Sequence, residues 1–313
     1  MYKQLIALDP EGKKGTTEYG RAKDKVSYTQ LAEYNVANGS LTARPPDTGG
    51  MLAFVKKYPD SQIVKDGYAG LSRFFGRQGT KEDATKFFEG YTARFPQEGQ
   101  AVSGWVTRIL FDKEPVDKGI ELAQKAIALG GGRSAVMGYQ NLARLYLLKG
   151  DKAKAVEAAD QLVKAAAPMT PPAGAPAGAV PATPMAGMAP EPLAAQIYVD
   201  AGKMDKALAI YGPDFAAKNS KIGPLLSRYV QFWAGQGTNL DSALAAAKTV
   251  VALTPDAYSA HSSLANVLEK MKNYPEALKA AEKALSLAPA NPPQAKASIQ
   301  KMIDNIKAAT EKK

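Results

Sequence analysis

A period of 34 residues near the C-terminal end of the sequence places the strongest constraint on its fold. The segment DSALAAAKTVVALTP is followed, one period later, by the similar segment YPEALKAAEKALSLAP. The shared positions are two alanines and a final proline: Ala243, Ala247 and Pro255 in the first segment, Ala277, Ala281 and Pro289 in the second. Alanines spaced in this way lie on one helix face and let a second helix approach closely, and the proline ends the helix. A fixed period of this length predicts stacked helical hairpins.

Earlier segments carry the same arrangement of large, small and aromatic residues. Residues 65–98 contain Tyr68, Leu71, Phe75, Gly79, Ala84, Phe88 and Pro96, and residues 136–168 contain Tyr139, Leu142, Ala143, Tyr146, Gly150, Ala155 and Ala159. A further copy occupies residues 188–220, with Glu191 in place of a large residue, and a weaker one occupies residues 100–131. With about seven copies of this pattern in total, the sequence resembles the tetratricopeptide repeat family.

The resemblance implies an all-α fold, a right-handed superhelical solenoid of antiparallel helix hairpins. In such an array each hairpin buries one face on its predecessor and another on its successor, so no hairpin has a full core alone. The expected organisation is a half-repeat over residues 1–12, repeats over 13–164 and 191–291, and a capping or docking helix over 292–313.

An uncharged segment interrupts the repeats at residues 165–190. Its sequence, AAAPMTPPAGAPAGAVPATPMAGMAP, contains prolines every few residues, which exclude a helix interior and favour an extended polyproline-like backbone. One interpretation is an insertion that the solenoid tolerates on its surface. Because the segment has no charge and several methionines, the other interpretation is a segment that lies along a groove of its own or a neighbouring molecule.

The residue composition excludes several classes of catalytic and metal site. The sequence has no cysteine and a single histidine, His261, which lacks the partners needed for a transition-metal site or a nucleophilic triad. We interpret His261 as a packed residue between two helices. With no acid–base pair, nucleophile or cofactor cradle in the sequence, we predict a protein that is not an enzyme and binds no cofactor and no metal.

Charge and hydropathy bear on partners and location. The formal net charge is +10, but the lysines are scattered through helical segments, which predicts a solvated basic surface and does not favour a nucleic acid partner. No apolar run approaches the roughly 20 residues of a membrane-spanning helix. The absence of cysteine favours an extracytoplasmic location, secreted or periplasmic after trimming, over a cytoplasmic one.

The resemblance also suggests a partner-binding groove, because in this family the first helix of each hairpin lines the concave face. Arginine recurs at the same motif position in three successive repeats, and further groove positions are polar or aromatic: Arg73, Arg108 and Arg144, with Arg77, Trp105, Gln140 and Asn141. The planar fork of arginine suits carboxylates, and an aromatic ring beside it offers a stacking surface. The alternative is that these arginines pair with Asp and Glu of adjacent hairpins.

The two ends of the sequence suggest a second kind of contact. MYKQLIALDP matches the second helix of a hairpin, with Tyr2, Leu5 and Ile6 in it, and the last segment matches a first helix, with an apolar side formed by Ala297, Ile299, Met302, Ile303 and Ile306. Docking of one copy's end onto the next copy's start would complete a hairpin and, if the rotation does not close a ring, form a filament. The alternatives are a common capping helix and a preceding segment that has been removed.

Two functions therefore remain, and both are forms of protein–protein interaction. In the favoured one, the protein is a structural scaffold that assembles head-to-tail into a filament or oligomer through its ends. In the other, it is a monomeric adaptor that binds an acidic or extended peptide segment of another protein in an arginine-lined groove.

Overall fold

The computed structural model describes residues 2–20, 23–130, 133–165, 190–289 and 293–311. The chain forms two compact units, Met1–Met169 and Thr170–Lys313, which we call the N-terminal and C-terminal units. Seventeen helices and one two-stranded antiparallel sheet form the regular secondary structure of the described residues.

The N-terminal unit is a series of helix pairs preceded by a short helix and a β-hairpin. Its elements are α1 (Tyr2–Leu8), β1 (Thr16–Tyr19), β2 (Asp24–Ser27), α2 (Tyr28–Leu41), α3 (Gly49–Lys57), α4 (Val64–Phe75), α5 (Lys81–Arg94), α6 (Gly99–Asp112), α7 (Val116–Leu129), α8 (Arg133–Lys149) and α9 (Lys152–Ala165). The pairs are α2–α3, α4–α5, α6–α7 and α8–α9, and each packs on the next through α3–α4, α5–α6 and α7–α8.

Local sequence explains where several of these helices begin and turn. The hydroxyls of Ser27 and Thr80 each accept a hydrogen bond, at 3.1 Å, from an N–H of the first helical turn that has no partner within the helix. In the turns that close the α4–α5 and α8–α9 pairs, Gly79 and Gly150 have φ values of +74° and +83°. A side chain is strained in this left-handed region, so the recurring glycine of the repeat pattern has a direct structural reason.

Aromatic rings join the first helix pairs of the N-terminal unit. Tyr68 of α4 stacks on Tyr91 of α5 with ring centroids 4.8 Å apart, and Phe75 stacks on Phe87 at 4.9 Å. Such contacts contribute roughly 0.5–1.5 kcal/mol per pair beyond the burial of apolar area. The α4–α5 pair is therefore held mainly by aromatic packing, whereas alanine and aliphatic side chains form the buried faces of α6–α7 and α8–α9.

The buried phenol of Tyr91 makes the stability of this unit decrease as the pH rises through the alkaline range. Burial, reinforced by the charge of Glu98, raises the pKa of Tyr91 from 10.0 to about 12. Above pH 10.0 the unfolded chain loses a proton that the folded chain keeps, so the free energy of unfolding falls until the folded phenol ionises near pH 12. We expect Tyr91→Phe to make this decline shallower in urea titrations across that range. Parallel pH dependence of the two proteins would contradict the expectation.

The C-terminal unit also consists of helix pairs. Its elements are α10 (Pro190–Asp200), α11 (Met204–Tyr211), α12 (Pro213–Lys218), α13 (Gly223–Gln236), α14 (Leu240–Leu253), α15 (Tyr258–Lys270), α16 (Tyr274–Leu287) and α17 (Gln294–Glu311). The pairs are α10–α11, α13–α14 and α15–α16. The short helix α12 is inserted after α11, and α17 packs on α16.

Two buried polar groups of the C-terminal unit bond to backbone carbonyls. Trp233 is fully buried, and its indole N–H donates to the carbonyl of Tyr211 at 2.8 Å. His261 is buried, with its Nε2 2.8 Å from the carbonyl of Pro255, and this position agrees with its interpretation as a packed residue. Both groups thus keep a hydrogen-bonding partner inside the core, as buried polar groups require.

The predicted all-α stack of helix hairpins is confirmed, with one local difference. The repeats were expected to begin near residue 13, but residues 16–27 form the β1–β2 hairpin. The uncharged segment 165–190 falls almost entirely outside the described residues. None of the described helices combines the length and the apolar character that crossing a membrane requires.

Candidate protein-interaction surface

The first helices of successive pairs form one layer of the N-terminal unit. Helix α2 contacts α4, α4 contacts α6, and α6 contacts α8, while each also packs on its own second helix. Close approach within this layer has a sequence cause at Gly104 of α6, where a Cβ would lie 2.0 Å from the Ser72 hydroxyl oxygen of α4. Only a glycine fits between these helices without a shift of the neighbouring side chain.

Three residues of helix α4 and one in the turn after it form a set that we call the α4 stripe: Asp66, Gly70 and Arg73, with Arg77 two residues beyond the helix end. Asp66, Gly70 and Arg73 are spaced by four and three residues, so they follow one another along one face of the helix, whereas Arg77 lies in the turn that follows it. A Cβ on Gly70 would lie 3.8 Å from Nη2 of Arg73, which therefore extends back over the glycine. Arg73 and Arg77 are exposed, and in the part of the chain that the structure describes neither forms an ion pair.

The β-hairpin is attached to one end of this stripe by two tyrosines. The hydroxyl of Tyr19, the last residue of β1, donates a hydrogen bond to Oδ2 of Asp66. Its ring also meets that of Tyr34 of α2 edge-on, with centroids 6.4 Å apart. Burial, followed by the bond to Asp66, raises the pKa of Tyr19, and burial raises that of Tyr34. Both phenols therefore stay protonated at neutral pH.

Sequence reasoning missed this tyrosine–aspartate cluster. The available signal was the alternation in TTEY and DKVS, separated by Gly20 and Lys23, which both have left-handed φ values. Alternation over so few residues is a weak signal beside a 34-residue repeat. The contacts of Tyr19 with Asp66 and Tyr34 are therefore not predicted by the repeat pattern.

Arg108 has a different environment from the other predicted groove arginines, and its assignment to the groove needs correction. Its side chain is buried, with Nε donating to Asp112 Oδ2 at 2.6 Å. The Nη1 group donates to the carbonyls of Phe75, Gln78 and Gly79 at 3.3, 2.7 and 3.2 Å. Because these groups occupy the guanidinium, Arg108 binds the end of α4 to α6 and is not available to a partner.

The remaining predicted groove residues lie on α6 and α8. Trp105 is half-buried, stacks on Phe88 with ring centroids 6.4 Å apart, and has the ammonium of Lys118 5.8 Å from its own centroid. On α8, Gln140 and Asn141 are half-buried, whereas Arg144 is exposed. The layer order α4–α6–α8 separates Arg144 from the α4 stripe by one helix, so the arginines are distributed along the layer.

The predicted assembly residues at the two ends have unequal exposure. On α1, Tyr2 and Leu8 are 46% and 70% exposed, and Leu5 and Ile6 are half-buried, with α1 packed on α2. On α17, three isoleucines are buried within the same chain against α16 and Met302 is half-buried; the isoleucines are Ile299, Ile303 and Ile306. Apart from Ala297, which is exposed, the predicted apolar side of α17 is therefore already covered in a single copy.

Metal binding finds no support in the described residues. They contain no group of three or more His, Asp or Glu side chains placed to hold an ion. The local chemistry instead consists of exposed guanidinium groups, protonated phenols and half-buried amides, which suits hydrogen bonding to carboxylates and peptide groups.

Comparison with known proteins gives matches to repeats and to a fold. Tetratricopeptide repeat family models match residues 138–168 and 258–291. No curated protein matches the chain significantly. Among solved structures, yeast Tom70 is similar with a TM-score of 0.55 and 13% identity, covering 99% of this chain and 58% of that one. A tetratricopeptide repeat protein from Parabacteroides merdae has a TM-score of 0.46 and 10% identity, covering 98% of both chains.

Proposed function

We propose that this chain, which family models match to tetratricopeptide repeats at residues 138–168 and 258–291, is a scaffold for protein–protein interaction whose N-terminal unit binds an acidic, extended segment of another protein. The observation that carries the proposal is the contrast among arginines at one motif position. Arg108 is fully occupied inside the fold, whereas Arg73 and Arg144 are exposed and, within the described residues, without an ion pair. Arg77, in the turn after α4, adds a further exposed positive charge.

The energetics require several contacts at once. An exposed arginine–carboxylate pair contributes roughly 0.2–1 kcal/mol, because both groups give up hydration and side-chain freedom to form it. Arginines distributed along the layer therefore favour a ligand that is extended and carries several carboxylates. Such binding weakens as salt screens the charges, with a Debye length of about 8 Å at physiological ionic strength.

The test is the binding of a fluorescein-labelled oligoglutamate, followed by anisotropy. Reversing the charge of Arg73, Arg77 and Arg144 to Glu should weaken binding at least about tenfold, because three attractive contacts become repulsive. The matched control reverses three exposed lysines of second helices, Lys86, Lys125 and Lys152.

The control changes the net charge by the same amount but leaves the α4 stripe and Arg144 intact. It should retain most of the affinity, and both triple variants should keep the helical circular dichroism of the parent. Equal losses in the two variants would mean that overall charge, and not this layer, attracts the peptide. An oligoglutamate that does not bind the parent protein would refute the proposed function.

Self-assembly through the ends is the second candidate, favoured by the exposed Tyr2 and Leu8 of α1. Its predicted partner surface on α17 is buried, and releasing each isoleucine costs roughly 1.5–3 kcal/mol. We therefore expect a constant monomer mass in light scattering as protein concentration rises. A mass that grows without limit, and that stops growing when residues 292–313 are deleted, would favour head-to-tail assembly.

A further inference from the structure

The outer edge of β1 has unused backbone hydrogen-bonding groups. The register pairs Thr17 with Val26 and Tyr19 with Asp24, and the N–H of Tyr28 donates to the carbonyl of Gly15. Hydrogen-bonded and non-hydrogen-bonded pairs alternate along an antiparallel ladder, so the N–H and C=O of Thr16 and Glu18 point away from β2.

These outward groups are open to solvent. Thr16 and Glu18 are exposed, and among the described residues no backbone group bonds to either of them outside the hairpin. Thr17 and Tyr19, on the opposite face of the strand, are half-buried. The strand therefore packs on the helices through the face that carries Thr17 and Tyr19, and its outer edge stays accessible.

The second strand of the hairpin has an edge of a different kind. Lys25 lies in β2 and Lys23 immediately precedes it. The strand continues directly into α2 at Tyr28. Lysine on an edge strand is a common obstacle to further strand pairing. The edge of β1 has no lysine and contains two threonines, residues that favour extended structure.

The position of β1 connects this edge to the proposed binding layer. Its last residue, Tyr19, bonds to Asp66, the first residue of the α4 stripe. Arg73 lies on the same face of α4 as Asp66, two helical turns further along. Its positive charge acts on Tyr34 and offsets part of the rise in the pKa of that phenol. A strand added to the edge of β1 would direct every second side chain to the face that carries Tyr19, which is the face that bonds to α4.

We propose that β1 is a strand-addition site, at which an extended acidic segment pairs its backbone with Thr16 and Glu18 while its carboxylates reach Arg73 and Arg77. The inference rests on the proposed function and adds to it the conformation and location of the bound segment. Main-chain hydrogen bonds supply affinity in such recognition, and the side chains on alternate positions supply specificity. Here the specificity is for carboxylates on one face of the added strand.

A backbone-methylated peptide distinguishes strand addition from charge attraction. The probe is a fluorescein-labelled peptide of alternating threonine and glutamate, prepared without N-methylation, with N-methylated threonines, or with N-methylated glutamates. In an added strand, amides of one parity face β1 and those of the other face solvent. We expect one methylated peptide to lose at least about tenfold in affinity and the other to bind like the unmodified peptide. Equal affinities for the two methylated peptides, high or low, overturn the proposal.

A variant of the protein provides the complementary test. Glu18→Pro removes an outward N–H that the hairpin does not use, and proline is tolerated at such edge positions. It should weaken binding of the unmodified alternating peptide at least about fivefold, whereas Glu18→Gln should stay within about twofold of the parent. Urea midpoints equal to that of the parent would show that both variants remain folded. If oligoglutamate binding depends on the arginines but Glu18→Pro and methylation parity have no effect, the proposed function stands and strand addition fails.

Discussion

Replacing Arg108 with alanine is expected to lower the free energy of unfolding of the N-terminal unit by about 3–5 kcal/mol, the usual cost of breaking a buried ion pair. The substitution leaves the Asp112 carboxylate, which is itself largely buried, without its partner. It also removes the donor to the carbonyls of Phe75, Gln78 and Gly79. Equilibrium unfolding in urea, followed by circular dichroism, measures the loss.

The matched control is Arg73→Ala, at the same motif position one repeat earlier. Arg73 is exposed and, within the described residues, has no ion pair, so this change should cost less than about 0.5 kcal/mol. Double replacement of Arg108 and Asp112 by Met and Leu should recover part of the stability, since it removes the unpaired charge. Similar destabilisation by Arg108→Ala and Arg73→Ala would contradict the structural role assigned to Arg108.

Placing a carboxylate at Ile303 is expected to detach α17 from the C-terminal unit. Ile303 is 3% exposed and packs in the cluster that contains Ala280 and Ala284 of α16. Burying an unpaired carboxylate there costs several kcal/mol, and the cost is avoided when the helix leaves. We expect Ile303→Asp to increase hydrogen exchange throughout α17 and on α16, by at least about tenfold at the most protected amides.

Asn305→Asp provides the control for this effect. It adds the same carboxylate to the exposed side of α17, two residues away, and should leave hydrogen exchange on α16 unchanged. If Ile303→Asp also leaves that exchange unchanged, the isoleucines do not hold α17 in place. A released α17 is also the form in which end-to-end assembly would be possible, so light scattering of Ile303→Asp tests whether that route exists at all.

The sequence was sufficient to predict the helices because their apolar residues recur with a helical period and the pairs recur with a fixed one. The packed position of His261 and the apolar side of α17 also followed from spacing alone. Spacing places a residue on a helix face but does not determine which neighbours occupy that face. For this reason Arg108 is buried and Arg73 is exposed, although both occupy the same motif position.

The environment of Arg108 had one local signal. Asp112 follows it by four residues, within reach on a helix, whereas the residue four after Arg73 is another arginine. The contacts with Phe75, Gln78 and Gly79 could not be read from the sequence, because they depend on the angle at which α6 meets the end of α4. The β-hairpin was missed because its strands are short and its tyrosine finds a partner 47 residues away.

The way Arg108 binds the end of α4 bears on how such a repeat array can change during evolution. Carbonyls in the turn between the two helices of one repeat are satisfied by a side chain that belongs to the next repeat. The α4–α5 pair is consequently not an interchangeable module: duplicating or deleting a neighbouring pair would separate these carbonyls from their donor. Insertions and losses of whole repeats are thus expected to be accepted more readily elsewhere in the array than at this junction.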